Sequence, residues 1–164
     1  MFSQSFKKSP RGFTLIEILI VIGIIAILAA IVIVAINPAK QFAQARNTQR
    51  EAGINSILNA IGQRMADNKG VFAGTFNGGA YECGAISNTA TSSVVTDNDD
   101  AVSGALGCLV PTYIAALPVD PIAATGNDTG YDVRVLNNGR IMVCAEAAKN
   151  ETSIPDANAI CVTR

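Results

Sequence analysis

One uninterrupted apolar segment constrains this chain more than any other feature. Nineteen consecutive residues, 18–36, carry no charged and no strongly polar side chain. At about 1.5 Å per residue, a helix of this length spans roughly 28 Å, which is close to the hydrocarbon thickness of a bilayer. The sequence therefore predicts a transmembrane or assembly helix over residues 13–36.

The formal net charge of −1 hides an asymmetry along the chain. Lys7, Lys8 and Arg11 precede the apolar segment, and no acidic residue lies among the first 12 positions. The rest of the chain carries 9 basic and 13 acidic side chains, so no basic surface is expected to attract nucleic acid. The positive-inside rule places the basic N-terminus in the cytoplasm and the C-terminal part outside, although further basic residues follow the segment.

All four cysteines lie beyond the apolar segment. The chain has no CxxC pair and no histidine, so a zinc site of the usual Cys/His type is not expected. An even count of cysteines on the outer side of a membrane favours two disulfides, with four separate buried thiols as the alternative. Of the three connectivities, the sequential one is preferred because each bond closes a modest loop, Cys83–Cys108 and Cys144–Cys161.

A compact motif surrounds Gly12. The basic stretch K-S-P-R is followed by Gly12, Phe13, Thr14, two aliphatic residues and Glu17, and then by the apolar segment. This pattern resembles the start of type IV prepilins and pseudopilins. The resemblance implies that residues 1–12 are a leader, that a prepilin peptidase cuts between Gly12 and Phe13 on the cytoplasmic face, and that the new amine of Phe13 is N-methylated. It also implies that the apolar helix is retained, whereas an ordinary secretory signal has a core of about 7–15 residues and is removed.

Glu17 is the single carboxylate at the head of the apolar segment. In one interpretation it belongs to the first turn of a helix near the interface, where its charge is favourable by roughly 0.3–1 kcal/mol. In the other, cleavage makes Glu17 the fifth residue of the mature chain, and the resemblance implies that it pairs with the Phe13 amine of a neighbouring subunit. Placing an ion at mid-bilayer costs roughly 2.5–3.5 kcal/mol. Pairing offsets part of that cost only when two subunits are docked with the correct stagger.

The helical pattern continues past the apolar segment. Pro38 is expected to interrupt the helix, either as a kink used in packing or as a plain break at the membrane surface. Residues 37–69 then form an amphipathic extension, whose apolar stripe should pack on a sheet: Ile54, Ile57, Leu58, Ile61 and Met65. Gly70 supplies the stop signal.

Residues 70–164 are expected to form a globular head. Residues 70–110 are rich in Gly, Ser, Thr, Asn and Asp and predict a long loop region, and residues 111–117 predict a short helix. Alternation over residues 131–136 predicts a strand, residues 137–139 supply turn chemistry, and residues 140–147 are expected to form the partner strand of a hairpin, with a last strand at 160–162. The fold class is therefore α+β, a long N-terminal helix packed on a small antiparallel sheet, the layout that the resemblance also implies.

No catalytic motif and no cofactor are predicted from the sequence. Calcium stays open as a less favoured alternative, because its oxygen ligands are present but in a spacing that matches no calcium loop: Asp120, Asn127, Asp128 and Asp132. The resemblance implies a structural pilin, inserted in the cytoplasmic membrane as a precursor and assembled with other pilins into a surface or envelope filament through an inner-membrane assembly platform. A pseudopilin of a secretion or DNA-uptake system and an uncleaved single-pass binding protein are the alternatives.

Overall fold

The computed structural model describes residues 12–76, 81–88, 91–95 and 104–164. The chain divides into two compact units, Met1–Pro38 and Ala39–Arg164; the second is called the head below. The basic residues of the predicted leader, Lys7, Lys8 and Arg11, lie outside the described residues, whereas Gly12 lies within them.

The first unit contains helix α1, Leu15–Ile36. Its 22 residues are apolar except for Glu17, and none of their side chains is buried within the chain. The helix begins after Thr14, whose side chain caps it, and it ends at Asn37, which has a left-handed backbone with φ of 47°. A helix that satisfies its own backbone hydrogen bonds and exposes only apolar side chains is one of the two structures that can cross a bilayer.

Helix α2, Pro38–Asp67, begins one residue after α1 ends. Pro38 stands at its first position, where the missing backbone N–H leaves no intrahelical bond unmade. Four residues of the predicted stripe are buried and Met65 is partly buried in the same core, where Val133 and Val143 of the sheet also lie. At the other end the backbone N–H of Gly70 donates to the Met65 carbonyl at 2.7 Å. Lys69 and Gly70 both take positive φ values, 56° and 89°, so the expected left-handed stop is present.

The sheet of the head has four antiparallel strands in the order β3-β4-β5-β6. The strands are β3 Ser92–Val95, β4 Asp128–Val135, β5 Ile141–Ala145 and β6 Ile160–Thr163. One face points into the core, with Val133 of β4 opposite Val143 of β5, and Val143 opposite Val162 of β6. Asp132, Cys144 and Cys161 form the next row and therefore lie on the opposite face, called the outer face below.

The structure corrects the expected short helix at 111–117. These residues form turns and bends, and a 3₁₀ helix precedes them at Gly107–Leu109. Two physical reasons account for the difference. Seven residues make a weak helix on their own, because nucleation is costly. Leu117 also precedes Pro118, and the residue before a proline disfavours the helical region.

The loop region 70–110 contains more regular structure than its composition suggests. Strands β1 Gly74–Phe76 and β2 Tyr81–Cys83 pair as a separate antiparallel hairpin, and β3 joins the main sheet beside β4. Ser and Thr supply little apolar surface here, so the pairing depends on backbone hydrogen bonds and on Val94, which is fully buried. The result is an α+β head in which α2 packs on a four-stranded sheet.

Arg64 is one of two arginines of α2 that lie on its inward side, although charged side chains are expected on the polar face of an amphipathic helix. Its side chain is fully buried, because it lies three residues after Ile61 on the inward stripe. The guanidinium donates to the carbonyls of Phe72 and Gly74, at 2.9 and 2.7 Å, and lies 5.7 Å from the centre of the Phe72 ring. It therefore ties the end of α2 to the segment that follows it.

Candidate processing and assembly site

The predicted cleavage bond precedes α1, and Thr14, which follows Phe13, has an extended backbone. Gly12, Phe13 and Thr14 have no regular secondary structure, and Phe13 is 85% exposed. Apart from its chain neighbours, no atom of the described residues lies within 4 Å of the place where a side chain on Gly12 would begin. A peptidase needs access to the bond that it cuts, and none of the described residues covers the Gly12–Phe13 bond.

Glu17 forms a capping box with Thr14. The Glu17 carboxylate accepts from the backbone N–H and from the hydroxyl of Thr14, both at 2.8 Å. In return the backbone N–H of Glu17 donates to the Thr14 hydroxyl at 3.3 Å. This reciprocal arrangement satisfies two N–H groups that the first turn of a helix leaves unpaired. Within the single chain, Glu17 therefore acts as a first-turn cap, and Thr14 is a partner that the sequence did not single out.

The rest of α1 presents apolar surface in every direction. Its large side chains, from Leu15 to Ile36, are each at least half exposed. By length and composition α1 is the one helix of the described residues that could cross a membrane. A helix that is apolar all round needs lipid or other helices to cover it, and none of the side chains of α1 is buried within the described residues.

Comparison with protein families gives one match. The prokaryotic N-terminal methylation motif matches residues 7–33. The chain carries a type IV prepilin-type signal. The match ends within α1 and does not reach the head. No curated protein and no solved structure matches the chain.

The prepilin-type signal fits the Glu17 carboxylate at the first turn and the apolar helix that follows it. It implies a precursor of the pilin or pseudopilin kind, with insertion in a membrane, processing by a prepilin peptidase and assembly with other pilins. The motif is a structural one and not the signature of an enzyme family. Gly12, Phe13 and Glu17 all fall inside the matched residues.

Two disulfides hold the head. Cys83 bonds to Cys108, which joins β2 to the 3₁₀ helix Gly107–Leu109, and Cys144 bonds to Cys161, which joins β5 to β6. This is the sequential pairing preferred from the sequence. The first bond lies in the core and the second on the outer face, where only Cys161 is exposed. Disulfides of this kind suit a domain that folds in an oxidising compartment.

A buried ion cluster fastens α2 to two distant parts of the head. Arg50 donates to Asp120 at 2.7 and 3.2 Å and to Glu151 at 2.6 Å. Arg46 completes the cluster by a two-pronged contact with Glu151, at 2.9 and 2.5 Å. Arg50 and Asp120 are fully buried at the side chain, and Glu151 nearly so. The ion cluster is not evident from the sequence, although Arg50 lies four residues before Ile54 and therefore on the inward stripe.

The ion cluster shifts the acidities of its members. Two arginines lower the pKa of Glu151 to about 2. The hydrogen bond from Arg46 is the largest cause; burial acts in the opposite direction, and the hydrogen bond from Arg50 adds to the lowering. Burial by itself raises the pKa of Asp120, but hydrogen bonds from Arg50 and from the backbone N–H groups of Ile122 and Ala123 outweigh it and lower that pKa. Both carboxylates are therefore ionised at neutral pH.

We expect the head to lose stability between about pH 5 and pH 2. The pKa of Glu151 in the folded state lies below its ordinary value of 4.5, so the unfolded chain binds the proton first as the pH falls. The stabilising contribution is complete above the ordinary value and is lost as the pH approaches the folded one. Urea titrations from pH 6 to pH 2 test this. Glu151→Gln should flatten the curve in that window, and an unchanged slope would contradict the assignment.

The residues weighed for calcium fall into two places. Asp120 is used by the ion cluster, whereas Asp128 and Asp132 lie with Glu146 along a depression on the outer face. Asn127 is exposed in the turn before β4. Among the described residues, the one tight grouping of metal-ligand types consists of Cys144, Glu146 and Cys161, and its two sulfurs are joined in a disulfide. The arrangement therefore offers carboxylates but no assembled ligand set.

Proposed function

We propose that this protein is a structural subunit of a type IV pilus-like filament. It is made as a membrane-inserted precursor, cut after Gly12, N-methylated at Phe13 and assembled through α1, with the head on the outside. The observation that carries the proposal is the methylation motif over residues 7–33 joined to a helix that exposes apolar side chains all round. An ordinary cleaved signal needs neither the Glu17 carboxylate nor a helix of 22 residues.

The proposed role of Glu17 is an exchange of hydrogen-bond partners. In the single chain its carboxylate is satisfied by Thr14, which lowers the cost of carrying it into the membrane. Cleavage creates a cationic amine at Phe13. The carboxylate of one subunit then pairs with the Phe13 amine of its neighbour, and a charged pair in a low-dielectric medium outweighs the neutral cap.

The first test is the mass of the N-terminal peptide. Full-length chain is expressed with a prepilin peptidase and recovered from membranes and from sheared surface material. We expect a peptide that begins at Phe13 and carries one methyl group, in both fractions. A processed peptide found only in membranes would favour a pseudopilin of a secretion or DNA-uptake system. A chain that still begins at Met1 in the presence of the peptidase would contradict the proposal.

Two matched variants separate the two roles of Glu17. Glu17→Gln keeps a capping box, because Gln serves at that position, but it removes the charge. Thr14→Ala removes the cap and keeps the charge. We expect Glu17→Gln to be processed normally and to reduce sheared filaments at least tenfold, whereas Thr14→Ala should cost no more than about threefold. If Glu17→Gln yields filaments like the wild type, Glu17 is only a first-turn cap.

A further inference from the structure

A groove of about 290 Å³ crosses the head between the C-terminal half of α2 and the turn that joins β4 to β5. Apolar side chains from both elements line it, and so do two exposed arginines: Leu58, Ile61, Met65, Ile141, Arg140 and Arg164. No atom lies within 4 Å of a side chain added at Gly62, so the groove is open along α2. We call this surface the arginine groove.

The two arginines are held in place but not neutralised. Arg164 donates to the side-chain oxygens of Asn55 and Asn59 on α2, and Arg140 donates to the Thr163 carbonyl at 3.0 Å. Neither forms an ion pair with a carboxylate of the described residues. Ordered guanidinium groups beside apolar surface are typical of a site that binds an anionic partner.

Three carboxylates lie close together in one part of the outer face, at the end away from Arg134. Asp128, Asp132 and Glu146 line a depression of about 340 Å³, called the acidic depression. Lys149 pairs with Glu146 at 2.8 Å, whereas Asp128 and Asp132 form no ion pair within the described residues. Burial and the neighbouring carboxylates raise the pKa of Asp132. Crowding of like charge in a partly buried place is relieved when a cation docks there.

The two surfaces of one head are too far apart to satisfy each other. Arg140 lies opposite Leu136, just past the end of β4, with which it shares a backbone hydrogen bond of 2.7 Å. Asp132 and Asp128 lie four and eight residues back along that strand. At about 3.3 Å per residue this places them roughly 13 and 26 Å away. The described arginines and carboxylates of these two surfaces therefore form no ion pair with each other within one head.

We propose that the arginine groove of one head lies against the rim of the acidic depression of a second copy. Arg140 and Arg164 would face Asp128, Asp132 and Glu146 of the neighbour, and the apolar side chains of the groove would be covered by the same contact. Because different surfaces of the two copies meet, the contact is heterologous and continues from copy to copy, as a helical filament requires. This inference rests on the proposed filament function and adds a head-to-head contact that sets the order of the subunits.

Charge reversal in the full-length chain tests the contact. Three forms are compared with wild type: Arg140→Glu with Arg164→Glu, Asp128→Lys with Asp132→Lys, and all four changes together. We expect each double variant to reduce the yield of sheared filaments at least tenfold. The fourfold variant should recover to within about threefold of the wild type, because the attraction is restored with its signs exchanged.

Three controls accompany the variants. Glu51→Lys with Gln63→Lys changes the charge at two exposed positions of α2 outside both surfaces, and it should leave the yield unchanged. Thermal unfolding of each full-length variant in detergent shows whether its head is folded. Wild-type filaments are also assembled with a chelator, because the acidic depression offers carboxylates to a divalent cation.

The outcomes separate the inference from the function. If wild type itself yields no filaments, the proposed function fails. If wild type assembles and the double variants assemble equally well, the contact does not exist. If folded double variants fail and the fourfold variant does not recover, the two surfaces do not face each other. If the chelator abolishes wild-type filaments, a metal ion occupies the acidic depression and the inference is overturned.

Discussion

Replacing Asp120 by alanine should lower the free energy of unfolding of the head by about 3–5 kcal/mol. The side chain is fully buried and accepts two hydrogen bonds from Arg50. It also accepts from the backbone N–H groups of Ile122 and Ala123, each at 2.9 Å. Removing it leaves a buried guanidinium with one charged partner fewer and leaves two backbone donors unpaired.

A buried ion pair by itself is weak evidence for stability. The free energy needed to remove both charges from water is nearly as large as the free energy gained from their attraction. Replacing the whole pair by apolar side chains is therefore often tolerated. The loss of one partner is different, because the remaining charge keeps its desolvation cost. The expected effect of Asp120→Ala is therefore the cost of an orphaned Arg50 and not the net contribution of the pair.

Urea titration of residues 39–164 with both disulfides intact measures this effect. Asp120→Asn keeps an oxygen for the backbone N–H groups and removes the charge, so its loss should be smaller than that of Asp120→Ala. Lys149→Met breaks the exposed pair with Glu146, which should cost less than about 1 kcal/mol. A loss below about 1 kcal/mol for Asp120→Ala would contradict the view that the ion cluster fastens the loop after Leu117 to α2.

A single methyl group on Gly53 should destabilise the head, although the same change at Gly62 should stabilise it. Both glycines are inside α2. A side chain at Gly53 would begin 2.4 Å from the Tyr131 hydroxyl and 2.9 Å from its ring carbon, whereas Gly62 has open space. Overpacking of a buried site typically costs 1–3 kcal/mol. Replacing glycine by alanine at an open helical position raises the free energy of unfolding by roughly 0.5–1 kcal/mol.

Comparing alanine at Gly53 with alanine at Gly62 tests the contact between Gly53 and Tyr131 directly. We expect Gly53→Ala to lower the free energy of unfolding by about 1–3 kcal/mol, and Gly62→Ala to raise it by about 0.5–1 kcal/mol, in the same urea titration. Tyr131→Phe removes the hydroxyl, which has no hydrogen-bond partner among the described residues, so it should be nearly neutral. The double variant Gly53→Ala with Tyr131→Phe should recover part of the loss. Equal effects of the two glycine changes would exclude the close approach of α2 and β4.

Local patterns in the sequence predicted the elements that depend on neighbours in the chain. The apolar segment predicted α1, the spacing of Ile54, Ile57 and Ile61 predicted the inward side of α2, and alternation predicted β4. Each of these signals is a short-range repeat of hydrophobic side chains. The predicted helix at 111–117 was wrong because a short segment without a strong repeat takes its conformation from its surroundings.

Only the tertiary structure disclosed the polar interior of the head. Arg50 reaches Asp120 and Glu151, which lie 70 and 101 residues away in the sequence. Nothing in the local pattern distinguishes those carboxylates from others. The burial of Arg64 and the separation of the arginine groove from the acidic depression are likewise consequences of how strands and helix pack.

The sequence alone determined the N-terminal part of this protein. The methylation motif and the apolar helix are both patterns of residues that are adjacent in the chain, so they can be recognised without the fold. The head required the fold, because ion pairs and surface charge patterns join residues that only chain topology brings together. Thr14 shows both contributions. The sequence places it in the motif, and the structure shows that its hydroxyl forms hydrogen bonds with Glu17.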